Sequence, residues 1–236
     1  MMIDELNSWK MRRIFFAGIF FAVVSGCSNN ENSPTQTEPE PLLDARYSLT
    51  FNATWSMQTH PNEFPSSAHF SGLIGMTHNN NVMLFTKGEI SSDGIKNMAE
   101  LGRKDPLETE IQDFISNGTG NTLISGGGVS SSPGEISLEF DIASSHSLVS
   151  VVSMLAPSPD WFVAVSNINL IENNEWIRSI TLPVDIYDAG TDDGATFKST
   201  DLPSPVRMPI VEIITPPLAD NGIVAPLGSI TFTKLD

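Results

Sequence analysis

Tyr47, Leu49, Phe51, Ala53 and Trp55 alternate without a break with Ser48, Thr50, Asn52 and Thr54. A period of two places all five apolar side chains on one face of an extended strand, and that face must be covered by a second layer. Ile136, Leu138, Phe140 and Ile142 alternate in the same way with Ser137, Glu139 and Asp141. Segments 147–155 and 161–168 are more continuously apolar, as expected of strands central to a two-layer core. Strand-like runs at 176–182, 208–214 and 229–235 complete the set, separated by turn signals such as His60-Pro61, Pro157-Ser158-Pro159 and Asp220-Asn221-Gly222. Helical pattern is confined to 94–101 and to 105–116, where Asp105, Pro106 and Glu108 have the chemistry of an N-cap, a first position and a third position. Many strands and few helices predict an all-β fold, an antiparallel β-sandwich with one or two short peripheral helices.

The N-terminus predicts a compartment. Arg12-Arg13 precedes the uncharged apolar run 14–24, and Ser25-Gly26-Cys27 follows it. This is the anatomy of a secretory signal peptide over residues 1–26, with the true start expected at Met11 because two carboxylates sit ahead of the basic pair. The apolar run is too short to span a bilayer, which takes about 20 residues. Val24-Ser25-Gly26-Cys27 is similar to a bacterial lipobox, which implies lipidation at Cys27 and a membrane contact through that lipid. Ser28 in the next position points to the outer membrane if the cell is Gram-negative. Residues 27–41 hold little but Asn, Glu, Ser, Pro, Thr and Gln, and read as a disordered tether. The folded domain is then 42–236, expected to be monomeric and located in the cell envelope, on either its periplasmic or its surface side.

Charge narrows the partners. With 12 Lys+Arg against 28 Asp+Glu, a net charge of -16, the chain lacks the basic clusters that phosphate contacts need, so no nucleic-acid partner is expected. A single cysteine forbids an internal disulfide.

Two segments carry most of the recognisable chemistry, Ser158-Pro159-Asp160-Trp161 and Tyr187-Asp188-Ala189-Gly190-Thr191-Asp192-Asp193-Gly194. Gly190 between Asp188 and Asp192 can adopt positive φ and let the loop fold back, so both carboxylates can point at one centre. Asp160 lies one strand and its return away. Carboxylates gathered this way repel one another, and a hard cation with oxygen ligands relieves the repulsion, calcium better than zinc. Taken alone, these are also ordinary turn residues.

Seven blocks in order resemble the spondin N-terminal domain of F-spondin and its bacterial relatives. They are YSLTFNATWS (47–56), THPNEFP (59–65), HFSGLIGMTHN (69–79), GEISSDGIKNMAELG (88–102), MLAPSPDWFVAVS (154–166), YDAGTDDGATF (187–197) and GSIT (228–231). The resemblance implies a C2-like β-sandwich with a calcium ion held at loops of one end. It implies Asp160, Asp188 and Asp192 as metal ligands, with Asp193 either a further ligand or only local negative charge. It also implies an adhesion or ligand-binding module for an extracytoplasmic protein or glycan, the alternative being a structural envelope protein in which calcium only stabilises the fold. The cysteine pair of animal members is missing around 171–175, so packing alone must hold that loop.

Competing uses of the residues are weaker. His60, His69 and His78 recur every nine residues, which fits neither a helix face nor a zinc motif, and read as structural. No G-x-S-x-G elbow is present, and Asp188 and Asp192 are too close in sequence to flank a sugar, so no enzyme is expected. Trp55, Trp161 and Trp176 are expected in the core.

Overall fold

The computed structural model describes residues 42–235. The segments predicted as signal peptide (1–26), lipidated Cys27 and tether (27–41) lie outside the described residues. Within them, β1 (Ala45–Ala53) is followed by β2 (His69–Phe70), β3 (Ile74–His78), α1 (Asp93–Leu101) and α2 (Leu107–Ser116). Next come β4 (Gly120–Ser125), β5 (Gly134–Ile142), a 3-10 turn (Ser144–His146), β6 (Leu148–Ala156) and β7 (Trp161–Asn169). After the short β8 (Ile171–Glu172) and β9 (Glu175–Trp176) come β10 (Ser179–Pro183), β11 (Asp185–Asp188) and β12 (Val211–Glu212). The hairpin β13 (Ala219–Asp220) and β14 (Ile223–Val224) precedes β15 (Gly228–Lys234).

These strands form the predicted sandwich. One sheet runs β10-β15-β1-β5 and the other β12-β11-β7-β6-β3-β4, with β2 added to β6, and every pairing is antiparallel. The period-two pattern sets the register. Leu49 stands between Leu138 and Phe232, and Phe51 between Ile136 and Ile230, so one face of three strands is apolar throughout. That face packs on Val149, Val151, Trp161, Val163 and Val165 of the second sheet in a single buried cluster.

The second sheet is covered on its other face as well. Ile95, Met98 and Ala99 of α1 and Leu107 and Ile111 of α2 pack with Ile74, Met76, Val152, Met154 and Phe162. The helices thus make a third layer over this face, rather than closing an edge or end of the sandwich. This is why β6 is buried at nearly every position and reads as an unbroken apolar run.

Helix α1 starts at Ser92, whose Oγ accepts the Ile95 amide, and stops at Gly102 in the left-handed conformation. Asp105 does not cap α2. The helix begins one residue past Pro106, and the Asp105 carboxylate accepts the Thr109 hydroxyl instead. Glu110 of α2 reaches across to the start of α1, accepting the Gly94 amide at 2.7 Å and the Ser92 hydroxyl at 2.7 Å. Glu110→Ala leaves both donors without this partner and is expected to cost about 1–2 kcal/mol in a denaturant melt, with Glu110→Gln costing less.

The β6–β7 ladder slips between Val149 and Val151, and the β3–β4 ladder between Met76 and His78. One buried pair ties the two irregularities together. His78 Nε2 lies 2.8 Å from Ser150 Oγ, which accepts the Asn167 amide at 2.9 Å, and His78 Nδ1 lies 2.8 Å from the Asn79 carbonyl. Because that carbonyl can only accept, Nδ1 carries the proton and Ser150 donates to Nε2. Burial pushes the His78 pKa down, and the nearby His146 adds to the effect. With the folded pKa below the unfolded value of about 6.5, the unfolded chain takes up the proton first. Stability from this group is therefore complete above about pH 6.5 and falls as pH drops toward the folded value, by at most about 1.4 kcal/mol per pH unit. The difference in unfolding midpoint between wild type and His78→Gln, followed from pH 8 to 5, should narrow as pH falls.

Candidate functional site

At one end of the sandwich, the turn into β7 meets the long connection from β11 to β12. Asp160 immediately precedes β7 and is fully buried. Its Oδ2 accepts the Thr191 amide at 2.6 Å, the Asp192 amide at 3.1 Å and the Thr191 hydroxyl at 3.2 Å. Its Oδ1 is buried with no hydrogen-bond partner. Burial raises the Asp160 pKa to about 6, and the Asp188 carboxylate raises it further, against the lowering by the Thr191 and Asp192 amides.

Asp188 ends β11 directly opposite Trp161 in the ladder. It is half-buried, its Oδ1 accepts the Gly190 amide at 2.8 Å, and its pKa is also raised, first by burial and then by Asp192 and Asp193. The Trp161 indole N–H draws the Asp188 pKa down by proximity but makes no hydrogen bond of normal geometry. The Asp188 carboxylate thus stands close enough to Asp160, with its orphaned oxygen, to oppose its ionisation.

Asp192 is placed differently. Its main chain serves Asp160, while its carboxylate folds into its own loop, Oδ1 accepting the Gly194 amide at 2.7 Å and Oδ2 the Leu202 amide at 2.8 Å. Asp193 is exposed and accepts the Ser204 hydroxyl. Among the described residues, no three His, Cys, Asp or Glu side chains are drawn up tightly enough to hold a metal ion as they stand. The chemistry of the donor set nevertheless fits a hard cation. All donors are oxygens, one is buried without a partner, and each oxygen of Asp192 keeps a second lone pair beside its amide bond.

The loop is held by its backbone. Gly190 sits at φ 71°, and a Cβ there would strike the Met208 carbonyl. Main-chain bonds Met208 to Gly190, Ser204 to Thr191 and Asp193 to Leu202 fold the segment back on itself. Phe197 anchors it from beneath, its ring 5.3 Å from Trp55 and 5.4 Å from Trp161. Asp188, Asp192 and Asp193 share a pocket of about 320 Å³ with Met208 and Val211, both exposed.

Thr191, which supplies two of the three bonds to Asp160, and Phe197 were not evident as site residues from sequence. Neither has a distinguishing signal outside the fold. The histidines are occupied locally, His60 with the Ala225 carbonyl, His69 with Ser67 and His78 with Asn79. Ser150 and His78 have the spacing of a nucleophile and its base, yet both are fully sealed from solvent.

Comparison with known proteins agrees with this architecture. The Spondin_N family profile matches residues 45–221, well over half the chain. Spondin-2 of Rattus norvegicus is 32% identical over 209 residues, covering 81% of this chain and 62% of that protein. Spondin-2 of Homo sapiens is 34% identical over 178 residues, covering 72% of this chain and 52% of that protein. Spondin-1 of Rattus norvegicus is 34% identical over 176 residues, 70% of this chain but 22% of that protein. The chain therefore spans less than two thirds of these relatives. With the match running from β1 through the site loop and into the final hairpin, the chain belongs to the spondin N-terminal domain family.

Proposed function

We propose that this protein is a non-catalytic, calcium-binding module of the cell envelope, anchored by lipid at Cys27 and used for adhesion or for binding an extracytoplasmic protein or glycan. The observation that carries the reading is the buried Asp160, with one oxygen unpartnered and the Asp188 carboxyl beside it. Asp160 and Asp188 would hold the ion, with Asp192, and Asp193 from the rim, adding oxygens. The ion supplies positive charge that offsets the repulsion and orders the 189–204 loop. The exposed Met208 and Val211 next to these carboxylates give that end of the sandwich a mixed apolar and acidic surface of the kind a partner can use. Adhesion or ligand binding is supported by membership of the spondin N-terminal domain family.

The test is a pull-down from envelope and extracellular extracts with wild type and Asp188→Asn, each with calcium or chelator. Partners retained only by wild type in calcium support a recognition surface organised by the ion. Identical capture in all four arms contradicts it, and calcium-dependent stability without calcium-dependent capture leaves the ion a purely structural role. Loss of palmitate labelling in Cys27→Ala checks the anchor, and labelling that persists removes it.

A further inference from the structure

A second cleft lies away from the acidic loop, where β7 runs past its neighbour. Register pairs Asp185 with Ala164 at the start of β11, so 165–168 of β7 extend beyond that partner. The space beside them, about 410 Å³, is closed by Met83, Phe85 and Lys87 from the connection after β3 and by Leu182, Asp185 and Tyr187. That volume lies within the range of small-ligand pockets. Its walls combine aromatic rings and aliphatic side chains. The Phe85 and Tyr187 rings meet edge to face at 5.1 Å, and Tyr187 rests on Phe162 at 5.4 Å, which fixes the aromatic wall.

The charges in the cleft do not balance. Lys87 is committed to Glu212, Nζ to Oε2 at 2.6 Å. Asp185 makes no ion pair among the described residues: Lys87 eases its charge from a distance, Glu212 opposes it, and the carboxylate accepts only the Tyr187 hydroxyl, at a long 3.4 Å. Asp185 and Glu212 outnumber Lys87, and a net negative charge beside aromatic and aliphatic walls is the chemistry that recognises an organic cation. The Asp185 carboxylate takes the charged head, and Met83, Ile168 and Leu182 cover an alkyl stem. A metal ion would gain nothing from those apolar walls, and an anion would meet Asp185.

We propose that this cleft binds an alkylammonium or guanidinium group, independently of calcium and of the carboxylates at Asp160, Asp188 and Asp192. The cation can come from a free polyamine or from a lysine or arginine side chain of a partner protein.

The test is a titration of the intact protein in chelator, followed by amide NMR shifts, with spermidine, an N-acetyl-arginine amide and its neutral isostere N-acetyl-citrulline amide. Both cations should saturate shifts around Lys87, Asn167 and Tyr187, and the citrulline compound should bind at least about ten-fold more weakly. Asp185→Asn should weaken both cations by about ten-fold while leaving the melting temperature and the calcium response as in wild type. Asp220→Asn removes one charge elsewhere on the surface and should leave the cleft shifts unchanged. Tighter binding of spermidine identifies a free amine as the ligand, and tighter binding of the arginine amide identifies a side chain. Equal binding of arginine and citrulline amides, or equal loss in Asp185→Asn and Asp220→Asn, overturns the proposal.

Discussion

Asp160→Asn should raise the melting temperature of the calcium-free protein and abolish its response to calcium. Asp160 is pushed to about 6 in the fold, chiefly by burial. A carboxyl whose folded pKa lies above its unfolded value of 3.8 contributes stability that is present below that value and lost as pH rises through about 6. At pH 7 without calcium, the ionised group therefore costs on the order of 3 kcal/mol. Asparagine keeps a carbonyl oxygen for the Thr191 and Asp192 amides and removes the charge, so the variant recovers that amount. With calcium most of that difference closes. Wild type gains about 2.7 kcal/mol at a hundred-fold excess over the dissociation constant, and the variant gains almost nothing. Melts in calcium and in chelator, at pH 7 and pH 5, read both effects. A variant less stable than wild type in chelator would show that hydrogen bonding outweighs repulsion at this carboxyl.

Phe197→Ala should be the more damaging change. Phe197 is buried between Trp55 and Trp161, and it is the apolar anchor of a loop otherwise held by a few main-chain bonds. Removing a buried phenylalanine side chain costs about 3–5 kcal/mol, which for a domain of this size lowers the melting temperature by roughly 10 °C. The site should suffer too, since Asp192 and the Thr191 donors sit on the loop it anchors. Calcium titration of Phe197→Ala is expected to show weakened binding even at temperatures where the fold is intact. Phe197→Leu should restore most of both properties. A variant that loses stability while binding calcium as wild type does would place the ligands on a loop that needs no anchor.

The sandwich was legible because its pattern is local. The alternation of 47–55 and 136–142 fixed which face of each strand is buried, and both strands pair in the register that this requires. The run 176–182 became two strands, β9 and β10, because the chain turns between Trp176 and Ser179. In 208–214 only Val211–Glu212 is strand, and Met208, Val211 and Ile214 are exposed at a sheet edge. Apolar spacing alone does not tell an edge segment from a core strand. Strand β11 is four residues with a charged residue at each end and leaves no alternating signature in the sequence.

The site was legible in its chemistry and less so in its geometry. Asp160 and Asp188 come together as the two motifs implied, because β7 and β11 are paired neighbours. The carboxylate of Asp192 turns into its loop, as the hydrogen bonds to Gly194 and Leu202 require. That direction depends on where residues ten positions apart meet. The buried pair His78 and Ser150, and the imbalance at Asp185, depend on long-range contacts and carry no sequence signature.

The central claim is that the Asp160–Asp188 end of the sandwich holds calcium. Isothermal titration of the metal-stripped protein with calcium measures this directly, with Asp160→Asn and Asp188→Asn beside wild type. The account predicts saturable binding of one ion per chain in wild type and none in either variant. No binding heat in wild type, or undiminished binding in both variants, would contradict it.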